Sequence, residues 1–433
     1  MSISNDFLKI KTFGNSMFPF LMDADVLYVK RTPFSKLSIN DFVTFLENKK
    51  FITHRIIFKS RLGLKPYIIT KGDANLQPDK KVVPKQILGK VYKIKRAGAI
   101  FDPEQIYLFQ STLYFNEILK VKKVFEKNNI ELVFLKGLPI NLYLEKTHPK
   151  RIYADCDLLI KKQEFNKVSR ILKKLGFSTI ETTITKTHAK LRTKEPEVSF
   201  SKTIDNIRIT LDIHLEAAFL IHTLGKMDSI YPQVLIDKLT EAFLKEKKVI
   251  RIYNENFFIL PTENLIIYLA LHLFHHNLRG YYRYNLISKV LTKNKVDFNL
   301  MAEKIYEYNL RNFIYPVFIL LIKYYKIPIP KKFLNRILPS VGKIRYINNH
   351  ILNIDIFSEE FRVDSGIERF KFFFHLSPVN PYLKYFIFFQ PGVLYTILWI
   401  LKSRIYFTAK IFFSNKVSIN NFKSFLASAS VIS

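Results

Sequence analysis

The 433-residue chain has few of the residue types that define several large protein classes. Its single cysteine, Cys156, excludes an internal disulfide framework and is typical of a reducing compartment. Only 17 of its 68 basic residues are arginine, and lysine reads base edges poorly, which disfavours sequence-specific DNA binding. With 36 acidic residues the formal net charge is +32, which indicates either an anionic partner or a solvated basic surface with no specific partner.

Long apolar runs are also missing near the start of the chain. Residues 1–14 contain no apolar core of seven residues, so we expect no signal peptide and no spanning helix at that end. Residues 385–401 are uncharged, but as a helix they would be about 25 Å long, against about 30 Å of hydrocarbon. We expect this segment either to lie on an acidic membrane surface or to pack against the preceding helices.

The length predicts two or three domains, and the 48% hydrophobic content is ample for packed cores. Residues 1–97 predict an all-β domain, either a small barrel or a coiled sheet, because short β-branched and aromatic runs alternate with turn residues. The predicted strands are DVLYVKR (25–31), DFVTFLE (41–47), FITHRIIFK (51–59), PYIITKG (66–72) and ILGKVYKIKR (87–96).

Three polar positions in this region suggest nucleophilic catalysis. Ser16 lies in a loop, His54 interrupts an apolar run, and Asp73 and Asp79 follow in KGDANLQPD. A serine needs a base to take its proton, and the imidazole needs a carboxylate to fix its tautomer. The alternative is a turn serine and a buried core histidine with no catalytic role.

Five segments in order resemble the boxes of the signal peptidase I superfamily: GNSMFPFLMDADVLYVKR, NDFVTF, THRI, ITKGDAN and ILGKV. The resemblance covers roughly residues 10–95 and implies a signal-peptidase-like β fold that cleaves a peptide substrate. Ser16 would be the nucleophile and His54 the base, as in the histidine type of this superfamily. Asp79 is preferred to Asp73 as the orienting acid, and Asp73 would then support its loop.

A long amphipathic helix is predicted to connect this domain to the next, over residues 98–129. Asp102, Pro103 and Glu104 form a favourable helix start, and apolar residues recur at roughly helical spacing up to Val124. Five charged residues within eight positions make a membrane-spanning role for this helix unfavourable: Lys120, Lys122, Lys123, Glu126 and Lys127.

The next segment places carboxylates on neighbouring predicted strands. In YADCDLLI the strand period of two puts Asp155 and Asp157 on one face, and Asp212 ends the later strand IRITLDI. Adjacent carboxylates repel unless a cation lies between them, and the oxygen preference of Mg²⁺ fits. Three such acids could orient an incoming hydroxyl against a nucleoside triphosphate (NTP); the alternative is an exposed sheet face with solvated acids.

This region resembles the nucleotidyltransferase superfamily, in the branch marked by LKG followed by R…DCDLLI. The resemblance implies a small mixed sheet with helices over residues 130–223 and a helical domain over 224–345. Asp155, Asp157 and Asp212 would bind Mg²⁺, and the NTP phosphates would face the turn of Lys136 and Gly137. The wider superfamily has Gly-Ser at this turn. His214, on the same strand face as Asp212, would be a secondary site residue.

The helical region contains three histidines at metal-binding spacing, His272, His275 and His276. No carboxylate or cysteine completes a ligand set nearby, so packing or contact with substrate phosphate is favoured over a metal. Residues 346–433 form a basic and apolar C-terminal segment.

Together these patterns predict a multidomain, bifunctional fusion of a serine endopeptidase and an Mg²⁺-dependent nucleotidyltransferase with an unknown acceptor. The alternative is a non-catalytic, toxin–antitoxin-like interaction protein that binds nucleotide or protein and kept both folds. We expect a cytoplasmic protein that associates at most peripherally with the inner membrane surface.

Overall fold

The computed structural model describes residues 7–18, 20–60, 66–75, 77–148, 153, 155–180, 196–204, 207–217, 230–358, 365–380, 382 and 385. The strands form two sheets: β1 (Phe7–Lys11), β2 (Val26–Lys30), β3 (Phe42–Glu47), β4 (Lys50–Lys59), β5 (Ile68–Lys71), β6 (Ile87–Arg96), β7 (Ala99–Phe101), β8 (Val133–Phe134), β9 (Cys156–Leu159), β10 (Ser178–Thr179), β11 (Glu197–Ile204), β12 (Ile207–His214), β13 (Lys248–Ile252) and β14 (Glu255–Ile259).

The first sheet is antiparallel and contains all five strands that the sequence predicts. Its order is β1-β2-β6-β3-β4-β5, with β7 paired to β6. The edge strand β1 and the three-residue β7 are additional. The expected N-terminal β region, followed by mixed-sheet and helical regions, is therefore confirmed.

The second sheet is mixed, in the order β10-β11-β12-β9-β8-β14-β13. Strands β9 and β12 are parallel, as are β8 and β14, and the other pairs are antiparallel. The hairpin of β13 and β14 lies beyond residue 223 in the chain but pairs with this sheet. In the β9–β12 register, Asp157 is directly opposite Asp212, which brings the two carboxylates together.

The described α-helices surround the second sheet and continue beyond it: α1 (Pro103–Lys127), α2 (Leu138–Glu145), α3 (Phe165–Lys174), α4 (Gln233–Lys245), α5 (Thr262–His275), α6 (Tyr281–Lys293), α7 (Phe298–Glu307), α8 (Arg311–Leu320), α9 (Lys331–Arg336), α10 (Val341–Tyr346) and α11 (Ser365–Leu376). Short 3₁₀ turns cover Phe34–Lys36, Pro84–Gln86 and Lys162–Glu164, and π-helical turns cover Leu321–Tyr325 and Ile347–Ile351.

Helix α1 contributes to the apolar cores of both regions. Near its start, the Tyr107 ring lies 4.8 Å from that of Phe20 and 6.1 Å from that of Phe42. Further along, Tyr114 is buried in the larger core and its hydroxyl donates to the carbonyl of Thr210 on β12. The predicted connecting helix thus fixes the first sheet to the second.

Two sequence predictions fall largely outside the described residues. The predicted strand STIETTI is described only at its start, as β10, and of the apolar segment 385–401 only Tyr385 is described. Within the described ranges, no helix combines the length and apolarity needed to cross a bilayer.

Candidate active sites

The first candidate site lies on the first sheet, where Ser16, His54 and Asp79 form a hydrogen-bonded chain. His54 is buried in the middle of β4, and its Nε2 lies 3.0 Å from Ser16 Oγ. Its Nδ1 lies 2.6 Å from Asp79 Oδ2, which also accepts a 2.7 Å bond from the Thr70 hydroxyl. The structure brings these three side chains, hereafter the triad, into the arrangement in which a histidine activates a serine.

Asp73, the alternative acid in the sequence, contacts a different partner. Its carboxylate accepts two hydrogen bonds from Arg55, at 2.7 and 2.5 Å. The Arg55 guanidinium also lies over the Phe20 and Tyr107 rings, 4.6 and 5.1 Å from their centroids. Asp73 therefore holds its loop against the core, and Asp79 is the acid that contacts the histidine.

Gly72 allows the loop before Asp73 to pass close to the serine. A Cβ atom at residue 72 would lie 2.6 Å from the Ser16 carbonyl oxygen, closer than real contacts allow. The same carbonyl accepts a 2.9 Å hydrogen bond from the amide of Ala74. The position of Ser16 relative to His54 thus depends on a loop in which residue 72 must be glycine.

The second candidate site is the acidic cluster of Asp155, Asp157 and Asp212 at the ends of β9 and β12. One carboxylate oxygen from each lies within 4.8 Å of the others. Asp157 and Asp212 are buried, whereas the Asp155 side chain is 37% exposed and connects the cluster to solvent. Asp212 Oδ1 is buried without a hydrogen-bond partner among the described residues, and a buried carboxylate oxygen of this kind is suited to a metal ligand.

Lys136, from the turn after β8, contacts this acidic cluster directly. Its Nζ lies 3.0 Å from Asp155 Oδ2 and 2.9 Å from Asp157 Oδ2. Burial alone would lower the pKa of Lys136, but the carboxylates outweigh burial and raise it. Burial would likewise raise the pKa of Asp157, but Lys136 lowers it to about 2. These side chains form an ion pair in this structure, and the phosphate contact of Lys136 stays a prediction.

Gly137 follows with a φ of 106°, a conformation that favours glycine, and begins α2. A Cβ at residue 137 would lie 3.0 Å from the Cys156 sulfur on β9. The turn therefore packs closely against the strand that carries the acidic cluster. It directs the N-terminus of α2, where phosphate groups commonly bind, toward the same end of the sheet.

Glu197 and His214 are further ionisable side chains next to the acidic cluster. They are paired on β11 and β12, with His214 Nδ1 3.7 Å from Glu197 Oε2 and His214 Nε2 3.5 Å from Asp157 Oδ1. Burial would lower the pKa of His214, but Glu197 and then Asp157 raise it. Burial, followed by Glu197, raises the pKa of Asp212 to about 8. The raised pKa of Asp212 indicates that too little positive charge lies near these carboxylates to keep all of them ionised.

Helix α5 contacts both the acidic cluster and Lys136. The Tyr268 hydroxyl donates to Asp157 Oδ2 at 3.2 Å, and His272 Nε2 lies 2.9 Å from Lys136 Nζ. Burial and then Lys136 lower the pKa of His272, so its neutral ring accepts a hydrogen bond from the lysine. Among the described residues, only the acidic cluster groups three or more potential metal ligands, so the histidines do not form a second set.

The sequence predictions missed Glu197 and Tyr268. Glu197 begins the predicted strand EVSFS, but its pairing with His214 is set by the β11–β12 register. Tyr268 lies one helical turn before His272, and that spacing is a signal that could have found it, since i and i+4 share a helix face.

Comparison with known proteins agrees with the second site. The model of a family described as an uncharacterised nucleotidyltransferase matches residues 104–326, slightly more than half of the chain. No curated protein and no solved structure matches the chain. The matched range runs from α1 to the turn after α8 and includes the whole acidic cluster, so the chain belongs to this nucleotidyltransferase family.

Proposed function

We propose that the acidic cluster transfers a nucleotidyl group from an NTP to an acceptor hydroxyl with the help of Mg²⁺. The observations that carry this proposal are the convergence of three aspartate oxygens within 4.8 Å and the buried Asp212 Oδ1, which has no hydrogen-bond partner in the described part of this family member. In the reaction the acceptor oxygen bonds to the α-phosphorus while the bond to the β-phosphate breaks. Pyrophosphate leaves, and the acceptor proton passes to solvent.

The donor set fits Mg²⁺, which prefers carboxylate oxygens and is commonly held by one or two carboxylates together with substrate phosphates. When bound, Mg²⁺ would neutralise phosphate charge and align the acceptor with the triphosphate. Asp155, Asp157 and Asp212 would hold the ion. Tyr268 orients Asp157 from behind, and the α2 N-terminus and Lys136 would receive the phosphates.

The test is a thermal-shift measurement with Mg²⁺ and each of the four common NTPs. At saturating concentrations we expect at least one nucleotide to raise the melting temperature by about 5 °C or more, and only with Mg²⁺. The double variant Asp155→Asn with Asp157→Asn should lose this shift because two of the three ligands lose their charge.

Ser16→Ala is the matched control for this test, because it alters the other candidate site and should leave the shift unchanged. If none of the four nucleotides stabilises the parent protein with Mg²⁺, the transferase proposal is contradicted.

We also propose a second activity, peptide-bond cleavage by the triad, of the signal peptidase I type. The observation that favours it is the continuous hydrogen-bonded chain from Ser16 Oγ to Asp79 Oδ2 through both nitrogens of His54. Phe13 and Phe18 flank the serine and are 84% and 53% exposed, so they offer apolar contact to an extended peptide.

In this mechanism each member of the triad has one role. His54 Nε2 takes the Ser16 proton as Oγ attacks the peptide carbonyl carbon, and Asp79 stabilises the imidazolium through Nδ1–H. His54 then gives that proton to the leaving amine as the C–N bond breaks. Water, activated by the same nitrogen, hydrolyses the acyl ester and restores Ser16.

Gly72→Ala is expected to reduce cleavage by about 100-fold, because the added methyl group would displace the Ser16 carbonyl and move the hydroxyl away from His54. Cleavage would be measured on a proteome-derived peptide library by mass spectrometry. Gly342→Ala adds the same methyl group where no atom lies within 4 Å, and it should cleave like the parent. Equal rates in both variants would show that the loop does not position the serine.

A further inference from the structure

The Lys136 ammonium group occupies the place in the acidic cluster where a bound cation belongs. Its Nζ contacts Asp155 Oδ2, Asp157 Oδ2 and His272 Nε2, all at 2.9 to 3.0 Å. A lysine ammonium has three N–H donors, so these three contacts match its full donor capacity. The side chain is only 13% exposed, and water therefore contributes little to its solvation.

The lysine and a metal ion would compete for the same oxygens. Mg²⁺ binds carboxylate oxygens at about 2.0 to 2.1 Å, and two of the oxygens available to it are those that Lys136 already contacts. A divalent ion and an ammonium group on the same two oxygens would repel each other strongly in this buried site. Lys136 must therefore leave the carboxylates when a metal binds to them.

The charge balance indicates where Lys136 would go. Without Lys136, Asp155 and Asp157 would lose the ion pairs that they make with it, and His214 would remain, 3.5 Å from Asp157 and 3.7 Å from Glu197. A metal–triphosphate complex brings both positive and negative charge. It can neutralise the carboxylates and at the same time offer phosphate oxygens to the displaced ammonium group.

We propose that Lys136 is a displaceable counter-ion that makes the site select the metal–nucleotide complex over the free metal. This inference rests on the proposed transferase function. Before nucleotide binds, Lys136 holds Asp155 and Asp157 together, and when the nucleotide enters it exchanges those carboxylates for phosphate. Free metal must displace the lysine without offering it a new partner, so it binds weakly. Nucleotide and metal therefore strengthen each other's binding, and the coupling passes through one side chain.

The experiment uses Mn²⁺ as a spectroscopic probe for the metal and follows free Mn²⁺ by electron paramagnetic resonance. Binding is titrated with and without a non-hydrolysable NTP analogue. In the parent we expect the analogue to tighten Mn²⁺ binding between about 5- and 150-fold, the usual range for coupled sites. In Lys136→Met, Mn²⁺ alone should bind more tightly than in the parent by a similar factor, and the analogue should add little.

Two further variants keep this test interpretable. Lys136→Gln removes the charge but keeps a polar side chain. If Lys136→Met does not fold, Lys136→Gln replaces it, and we expect the same tighter Mn²⁺ binding from this variant. Lys161→Met is the matched control, because Lys161 pairs with Glu131 at 3.4 Å outside the acidic cluster. It should bind Mn²⁺ like the parent.

The outcomes separate this proposal from the function on which it rests. Equal Mn²⁺ binding without nucleotide in the parent and in the Lys136 variants would overturn the counter-ion role, while coupled binding in the parent would still support the transferase. Absence of Mn²⁺ binding in the parent, with every nucleotide analogue tried, would contradict the transferase site itself.

Discussion

Ser16→Ala and His54→Ala are each expected to abolish peptide cleavage, with rate losses of about 10⁶-fold. In the proposed mechanism the two side chains act as a unit, because the nitrogen that would activate the Ser16 hydroxyl lies 3.0 Å from it. The double variant should therefore lose no more than either single variant. Asp79→Asn should lose about 10⁴-fold, since in the proposed mechanism Asp79 orients and stabilises the imidazole but does not touch the substrate.

The measurement is the peptide-library digest, with circular dichroism to establish that each variant is folded. Ser35→Ala is the matched control: Ser35 is an exposed serine on the same domain, and its loss should leave cleavage unchanged. Undiminished cleavage in Ser16→Ala would rule out the triad as the source of the activity. Absence of cleavage in every protein, the parent included, would favour the non-catalytic binding role for this domain.

Asp212→Asn is expected to have two opposite effects: loss of nucleotide transfer and a more stable metal-free protein. Transfer is lost because the introduced amide would be a neutral and weaker ligand at the oxygen that has no partner among the described residues. Stability rises because burial, followed by the carboxylates of Glu197 and Asp157, makes the ionised aspartate unfavourable. In the proposed function a bound cation would offset this crowding of carboxylates.

The pH dependence of this gain follows from the pKa of Asp212. Its carboxyl group ionises near 3.8 when unfolded and near 8 in the folded chain, so the folded chain binds more protons between these values. Its contribution to stability is present below pH 3.8 and is lost as the pH rises toward 8. The asparagine side chain has no proton to lose. The free energy of unfolding of Asp212→Asn should therefore exceed that of the parent by an amount that grows between pH 3.8 and about 8 and levels off above it.

Urea unfolding with EDTA at about pH 5, 7 and 9 would measure this advantage, since these values lie within and above the window in which the folded and unfolded chains bind different numbers of protons. Asp237→Asn, an exposed aspartate on α4, is the matched control and should unfold like the parent at each pH. A lower stability of Asp212→Asn than of the parent at the highest pH would contradict the argument from charge crowding.

The parts of the sites that could be predicted from sequence are those encoded within one short segment or carried by a family resemblance. The strand period in YADCDLLI places Asp155 and Asp157 on one face. Ser16, His54 and Asp79 are 38 and 25 positions apart, and the resemblance of the boxes around them grouped them. The start of α1 was also predictable, because Asp102 and Pro103 mark a helix start by their chemistry alone.

The missed features depend on contacts between distant segments. Strand β7 has only three residues, too few for an alternating pattern to be visible, and it forms by pairing with β6. The hairpin of β13 and β14 turns at Tyr253, whose φ is 52°. Positive φ is uncommon for an aromatic residue, so the sequence does not predict a turn at this position. The ion pairs of Lys136 could not be predicted, because its carboxylate partners, 19 and 21 positions later, meet it only in the folded sheet.

Helix α1 has a consequence for how this protein could have been assembled and inherited. A break in the chain before Pro103 would leave Phe20 and Phe42 without the Tyr107 ring, and a break after Tyr107 would shorten the helix that buries Tyr114. If recombination replaced one half with that of a related protein, the new half would have to form the same aromatic contact between α1 and the first sheet. We therefore expect Tyr107 to vary together with the residues of the first sheet that it contacts, Phe20 and Phe42, among relatives that carry both halves.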